Sequence, residues 1–287
     1  MPTRVYLDGT VVPPEEARVS VFDRGFLYGD SVFEVLRTFG GRPFALGDHL
    51  DRLGRSAAGL RLPPPPRPGI EAAVRGTLAA AGNAESYVRV LVTRGAGPIG
   101  LDPALSDRPT LIVIVRELEL PDPRLYRDGA ELALVSVLRN HPRALDPAIK
   151  SGNYLNNILA LDEARRRGAY EALLRDADGF ITEGSSSNLF VVTGGGLLTP
   201  PLRAGILDGI TRRHLMDLAR ARAMAVEERA LRPPDLQGAE EAFITSSIRS
   251  VLPVTRVDGA AVGGGRPGPI TLELARAYDE HARNTAA

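Results

Sequence analysis

The tripeptide Pro121-Asp122-Pro123 divides this chain more sharply than any other feature. Proline fixes φ and lacks an amide hydrogen, so a pair of them around a turn former can continue neither a helix nor a central strand. At 287 residues the chain also exceeds one average domain. The break therefore predicts an N-terminal domain over residues 1–120 and a larger C-terminal domain over 121–287.

Periodicity fills in both halves. Val5, Leu7, Val11 and Val12 flank Asp8-Gly9 and predict a hairpin. Leu46, Leu50, Leu53, Ala57 and Leu60 step by four and three, the spacing of one buried helix face. Residues Pro63 to Pro68 read as a connector, followed by a helix over Glu71 to Ala81 that Gly82 stops, and then by strands at Tyr87–Thr93 and Thr110–Val115. Beyond the break the pattern gives strands at Glu131–Leu138, Ala172–Arg175, Asn188–Thr193 and Ala242–Thr245. Helices are expected over Asn153–Gly168, with an apolar face of Leu155, Ile158 and Leu159, over Gly209–Ala223, and around Ile270, Leu274 and Tyr278. Gly194 to Gly196 and Gly263 to Gly265 read as a turn and a loop.

Lysine and arginine together number 35, balanced by 35 acidic residues. No long-range field favours nucleic acid or an anionic membrane, and neither is an expected partner. Cysteine is absent, which removes disulfides, thiolate metal sites and thiol nucleophiles and suits a reducing compartment. Met1 to Val12 carries charges and a turn where a leader would be apolar, so the expected location is the cytoplasm. His49, His141, His214 and His281 lack metal-ligand spacing, and no metal is expected.

Among all the basic residues, Lys150 is the only lysine. Arginine can replace lysine in most surface and ion-pair roles, but its guanidinium stays protonated and cannot act as a nucleophilic amine. Lys150 lies between an expected strand and an expected helix, a junction able to aim a side chain from a rigid place. Tyr154, four residues on, would share its side if the helix had already begun. Downstream, Gly179 to Phe190 is rich in small residues that let backbone pass close to a ligand, with Glu183 displayed at one end. Gly209-Ile210-Thr211 opens a helix and offers unpaired N–H donors at its positive end.

Lys150-Ser-Gly-Asn-Tyr154-Leu-Asn-Asn, Thr182-Glu183-Gly-Ser-Ser-Ser-Asn188-Leu-Phe and Leu207-Asp-Gly-Ile-Thr211-Arg resemble the class IV pyridoxal-phosphate aminotransferases. Asp23-Arg24-Gly25-Phe26, His49-Leu-Asp-Arg52-Leu and Ser246-Ser247-Ile248-Arg249 extend the likeness in the same order along the chain. Any one fragment is weak, and together they are specific. The resemblance implies a two-domain α/β fold of the α+β type, pyridoxal 5'-phosphate between the domains, and a homodimer whose partner lends a loop to each site. It also implies amino-group transfer between an amino acid and a 2-oxo acid.

By that resemblance Lys150 holds the cofactor aldehyde as a Schiff base and, once released, carries the proton from the substrate α-carbon. Glu183 faces the ring nitrogen, Tyr154 bonds the ring oxygen and Leu207 packs on the ring, with Asn188 beside them. Arg52, Ile210, Thr211 and Ser247 contact the phosphate, Ser246 is a further cofactor-binding residue, and Arg139 or Arg143 orients Glu183 or Tyr154. Taken singly, Arg52 reads as a solvated helix residue and Glu183 as an exposed loop carboxylate.

Substrate choice stays open. Tyr28, Phe33, Arg37, Tyr87 and Arg89 resemble the substrate pocket of branched-chain aminotransferases, while Val35 stands where that group has glycine and resembles the D-amino-acid enzymes. Ser246-Ser247-Ile248 replaces a Gly-Thr-Ala turn, and Arg89 and Arg249 are each able to grip a substrate carboxylate by two bonds. A branched-chain transaminase is the first expectation. A D-amino-acid transaminase and an aminodeoxychorismate lyase are the alternatives on the same fold.

Overall fold

The computed structural model describes residues 3–287. Met1 and Pro2, where the expected N-terminal domain starts, lie outside the described residues. Two compact units emerge, the first formed by Met1–Glu119, Ile149–Asn153 and Ala282–Ala287, the second by Leu120–Ala148 and Tyr154–His281. The short segment carrying Lys150 thus groups with the first unit, although its neighbours in the chain belong to the second.

Unit one contains β1 (Arg4–Leu7), β2 (Thr10–Val12), α1 (Arg24–Tyr28), β3 (Ser31–Phe39), β4 (Arg42–Pro43), α2 (Leu46–Gly59), α3 (Arg67–Ala81), β5 (Ser86–Thr93) and β6 (Thr110–Glu117). The strands form one antiparallel sheet in the order β2-β1-β6-β5-β3-β4. Val32, Leu36, Val88, Val90, Val92, Val113 and Val115 cover one face and pack on Leu50, Leu53 and Ala57 of α2 and on Ile70 and Val74 of α3. Burying each of the larger side chains stabilises the unit by roughly 1.5–3 kcal/mol.

Two features of this unit depart from expectation. The second helix starts at Arg67 and takes Pro68 into its first turn, where a missing N–H costs nothing, so the proline connector is shorter than predicted. The long strand β3 was not foreseen, because Glu34 and Arg37 interrupt its apolar pattern while nearly all of it is buried.

Unit two contains α4 (Pro123–Asp128), β7 (Ala130–Leu138), α5 (Leu155–Arg166), β8 (Glu171–Arg175), β9 (Ile181–Gly184), β10 (Asn188–Thr193), β11 (Gly196–Thr199), α6 (Ile210–Arg220), β12 (Val226–Glu228), α7 (Pro233–Gln237), β13 (Glu241–Ser246), β14 (Ser250–Val257), β15 (Ala260–Ala261) and α8 (Pro269–Thr285). Its sheet runs β12-β11-β10-β13-β14-β7-β8-β9, with β15 added beside β14. β7 and β8 are parallel, so the chain between them must cross over, and α5 makes that crossover. No helix among the described residues is long and apolar enough to cross a membrane.

α5 reverses its expected face. Asn157, Ala160 and Ala164 are buried, whereas Leu155, Ile158 and Leu159 are 67%, 57% and 58% exposed. Ala160 and Ala164 join a core with Ala133, Val135, Ala172 and Leu174 of β7 and β8, and their small side chains let the helix lie close to the sheet. The large apolar residues are left on the outer side.

Candidate active site

In unit one, the backbone of Lys150 is held at both ends of its peptide group. Its N–H donates to Ser56 Oγ at 3.1 Å, and its carbonyl accepts from the N–H of Phe33 at 2.9 Å. Ser151 bridges Val32 in antiparallel register, and Gly152 N–H donates to the Ser31 carbonyl at 2.8 Å. A Cβ at Gly152 would overlap Ser31 Oγ, so this approach to β3 demands glycine. The segment is not helical, and α5 begins only at Leu155 with Tyr154 as its cap. The helical relation expected between Lys150 and Tyr154 therefore does not hold.

The Lys150 side chain is half-buried, with Nζ 4.4 Å from the centre of the Phe33 ring. Arg89 places its guanidinium carbon 4.0 Å from the same ring. Side chains alternate along a strand, so Phe33, Val35 and Arg37 share one face of β3, and the pairs Val35–Arg89 and Arg37–Tyr87 continue that face onto β5. Arg37 is buried, donates to the Thr38 carbonyl at 3.3 Å and stacks on Phe39, while Tyr87 lies under Arg116. Tyr28, half-buried, accepts from the N–H of Gly100 at 3.2 Å.

The opposite face of β3 carries a polar group that the sequence did not disclose. Glu34 is 0% exposed and accepts from Arg52 Nε at 2.7 Å, Arg52 Nη2 at 2.6 Å and His49 Nδ1 at 2.7 Å. Arg52 is itself buried, so it is no solvated helix residue. Burial alone would raise the Glu34 carboxyl, but the charge and hydrogen bonds of Arg52, with His49 behind them, outweigh it and bring its pKa down to about 2. Burial holds His49 below its ordinary 6.5, which the neighbouring Glu34 offsets only in part.

Both shifts make the fold acid-sensitive. Glu34 contributes stability that is complete above its unfolded value of 4.5 and is lost as pH falls toward about 2. His49 refuses in the folded state a proton that the unfolded chain accepts below 6.5, so its loss begins there. The melting temperature is expected to be level above roughly pH 7, to decline below it and to steepen below roughly pH 4.5. Calorimetric scans at constant ionic strength check this, and a melting temperature flat down to roughly pH 4 would contradict it.

In unit two Glu183 lies in β9 and is 4% exposed, so the reading of it, taken singly, as an exposed loop carboxylate does not hold. Its Oε1 accepts from Arg139 Nε at 3.0 Å and lies 2.8 Å from Arg139 Nη2. Its Oε2 accepts from Asn188 Nδ2 at 3.2 Å and from the N–H of Leu207 at 3.0 Å. Of the two candidate orienting arginines, Arg139 makes this contact; Arg143 is exposed, and its N–H donates to His141. Arg139 also reaches Asn156 Oδ1 at 3.2 Å.

Asn188 ties Glu183 to the next element by donating to the Leu207 carbonyl at 3.0 Å. Its Oδ1 fills the space a Cβ would need at Gly209, the cap of α6, so that turn also requires glycine. Ile210 and Thr211 follow in the first turn of α6, and the Thr211 hydroxyl is 3.1 Å from Tyr278 Oη of α8.

Arg249 departs from its expected role. Its Nη1 donates to buried Glu171 at 2.6 Å, Nη2 to the carbonyl and Oγ of Ser186, and Nε to Ser246 Oγ at 3.0 Å. Glu171 in turn accepts from the Oγ atoms of Ser185 and Ser186. The guanidinium is engaged in clamping the Ser185–Ser187 loop to the Ser246–Arg249 turn, an arrangement that leaves it no fork for a substrate carboxylate. Ser246 is part of the clamp, while Ser247 and Ile248 lie half-buried on the same turn. The signal in the sequence was Glu171, an acidic residue at the head of an apolar strand.

Residues 31–257 match the model of the amino-transferase class IV family. The chain belongs to that family and is an aminotransferase with its mixed α/β fold. It is 40% identical to a putative branched-chain-amino-acid aminotransferase of Methanocaldococcus jannaschii over 96% of both chains. It is 30% identical to the D-alanine aminotransferase of Bacillus licheniformis over 94% of both. The T.th. branched-chain amino acid aminotransferase solved with pyridoxamine 5'-phosphate superposes with a TM-score of 0.94 at 32% identity, covering 99% of this chain and 95% of that one. The same enzyme complexed with N-(5'-phosphopyridoxyl)-L-glutamate gives a TM-score of 0.93 at 32% identity, with the same coverage of 99% and 95%.

Proposed function

We propose that this chain uses pyridoxal 5'-phosphate to move the amino group of a branched-chain L-amino acid to a 2-oxo acid such as 2-oxoglutarate. The observation that carries the reading is Lys150, the only lysine, half-buried and fixed by its backbone to the edge of β3. The donor set fits the cofactor: an amine, an acid already oriented by Arg139, a glycine-capped helix start, and two buried groups, the Thr211 hydroxyl and the Arg52 guanidinium. When bound, the cofactor supplies an electron sink for the bond broken at the substrate α-carbon.

The chain's own residues do the rest. Nζ of Lys150 holds the proton that leaves the α-carbon. Glu183 would accept the hydrogen bond of the ring nitrogen, with its carboxylate oriented by Arg139, Asn188 and the Leu207 N–H. In unit two the N–H groups of Ile210 and Thr211 and the Ser247 hydroxyl would receive the phosphate, where the α6 dipole adds positive potential, and Arg52 is the phosphate-binding candidate of unit one. Leu207 would pack against the ring, and Tyr154 would donate to its oxygen. Arg89 binds the substrate carboxylate that Arg249 is not placed to take, with Tyr28, Tyr87, Phe33, Arg37 and Ile248 around the substrate.

The branched-chain reading is supported by the names of the relatives and by the phosphopyridoxyl-glutamate complex of one of them. Val35 and the D-alanine aminotransferase relatives support a D-amino acid as the second reading. A half-reaction screen of L- and D-amino acids, following conversion of the cofactor absorbance band, separates them. L-Leucine, L-isoleucine, L-valine and L-glutamate are expected to convert it fastest. Faster conversion by D-alanine sinks the first reading, and protein that stays colourless with added cofactor sinks both. The exposed Leu155, Ile158 and Leu159 stripe supports a homodimer, so the same preparation should sediment at about twice 30.7 kDa, and a monomer mass would refute it.

A further inference from the structure

Glu34 stands in the middle of β3 with no exposure, where an ionised carboxylate costs several kcal/mol unless it is fully paired. Valine or leucine there would extend the apolar face that Val32 and Leu36 already make against α2. What the carboxylate does instead is grip a guanidinium. One oxygen accepts from Arg52 Nε and the other from Arg52 Nη2, at 2.7 and 2.6 Å, so a single edge of the planar fork is held at two points. Two bonds to one carboxylate define the plane of the guanidinium as well as its position. His49, three residues before Arg52 and so on the same side of α2, braces the second oxygen at 2.7 Å.

We infer that Glu34 is a positioning residue for phosphate recognition: it sets the plane in which Arg52 presents its other edge to a phosphate-bearing ligand, with His49 as the brace. The inference rests on the reading of Arg52 as a contact of the cofactor phosphate. Glu34 has two opposed effects on such a ligand. Its negative charge weakens the pull of Arg52 on a phosphate dianion, and its grip removes the rotamer freedom that a long side chain otherwise loses on binding. The grip dominates, because arginine recognises phosphate by direction as well as charge.

Glu34→Asp separates the two effects, since it keeps the charge and withdraws the carboxylate by one methylene. The apo forms of wild type, Glu34→Asp, Glu34→Gln and Arg52→Ala are each titrated with pyridoxal 5'-phosphate and with pyridoxal, which lacks the phosphate, and the ratio of the two Kd values is read. Glu34→Asp should lower the preference for the phosphorylated form by at least about tenfold, the size of one charge-assisted contact, with the pyridoxal Kd unchanged. An unchanged ratio, or equal weakening of both ligands as a packing role would give, overturns the inference. Should Glu34→Asp fail to fold, Glu34→Gln decides: its preference should also fall, and a preserved or higher preference shows that Glu34 acts only as a counter-charge. Arg52→Ala tests the underlying reading by itself. If it retains the wild-type ratio, Arg52 is not the phosphate contact; if its ratio falls while that of Glu34→Asp does not, only the positioning role is lost.

Discussion

Replacing Lys150 with alanine is expected to abolish covalent fixation of pyridoxal 5'-phosphate by borohydride and to lower kcat by about 10⁴-fold or more, since in the proposed reaction one residue serves as both carbonyl partner and proton carrier. The chain offers no second lysine to take over either task. Arginine cannot substitute, because its guanidinium does not release a proton in the accessible pH range. Mass spectrometry of the reduced protein is the direct check. Cofactor mass still attached to the variant would mean that another amine, the N-terminus, had been the partner, and the assignment of Lys150 would fall. The fold itself should survive, because the hydrogen bonds to Ser56 and Phe33 come from the Lys150 backbone.

Glu183→Gln is expected to cost about 10²–10³-fold in kcat, the scale of removing one preorganised electrostatic contact from a reacting centre, with little change in KM. The substitution keeps the shape but removes the charge that Arg139 grips on one oxygen and that Asn188 and the Leu207 N–H orient on the other. Cofactor retention should be nearly unaffected, since the phosphate contacts are elsewhere. A variant with wild-type kcat would remove Glu183 from the chemistry, and one that failed only through unfolding would show a lowered melting temperature without cofactor. Arg139→Ala should reproduce a smaller version of the same kinetic defect.

The parts legible from the sequence are those where one residue or one period dominates. Lys150 stood out because nothing else in the chain shares its chemistry, and α2 and α6 could be read from their apolar steps. The hairpin at Asp8-Gly9 was legible for the same reason. β3 escaped because Glu34 sits among buried apolar residues, and a charge in a strand ordinarily marks an exposed position. Only the structure supplies the partners, Arg52 and His49, that make its burial tolerable. α5 misled in the opposite sense. Its largest apolar residues formed a convincing stripe, yet the sheet takes the alanine side, since close approach to β7 and β8 requires small side chains. Arg249 reads in the sequence as a carboxylate grip, and its partner Glu171 lies 78 residues away, where the only local sign is an acidic residue heading an apolar strand.

The placement of residues 149–153 bears on how this protein can be cut. A truncation at Glu119 keeps every named strand of the first sheet but removes Lys150, together with the short ribbon that covers one end of β3. Such a fragment would expose unpaired backbone groups along Ser31–Phe33, an invitation to strand-to-strand aggregation. A split version suited to reassembly would need the Ile149–Asn153 ribbon grafted onto its first piece, so that Lys150 travels with the sheet that anchors it.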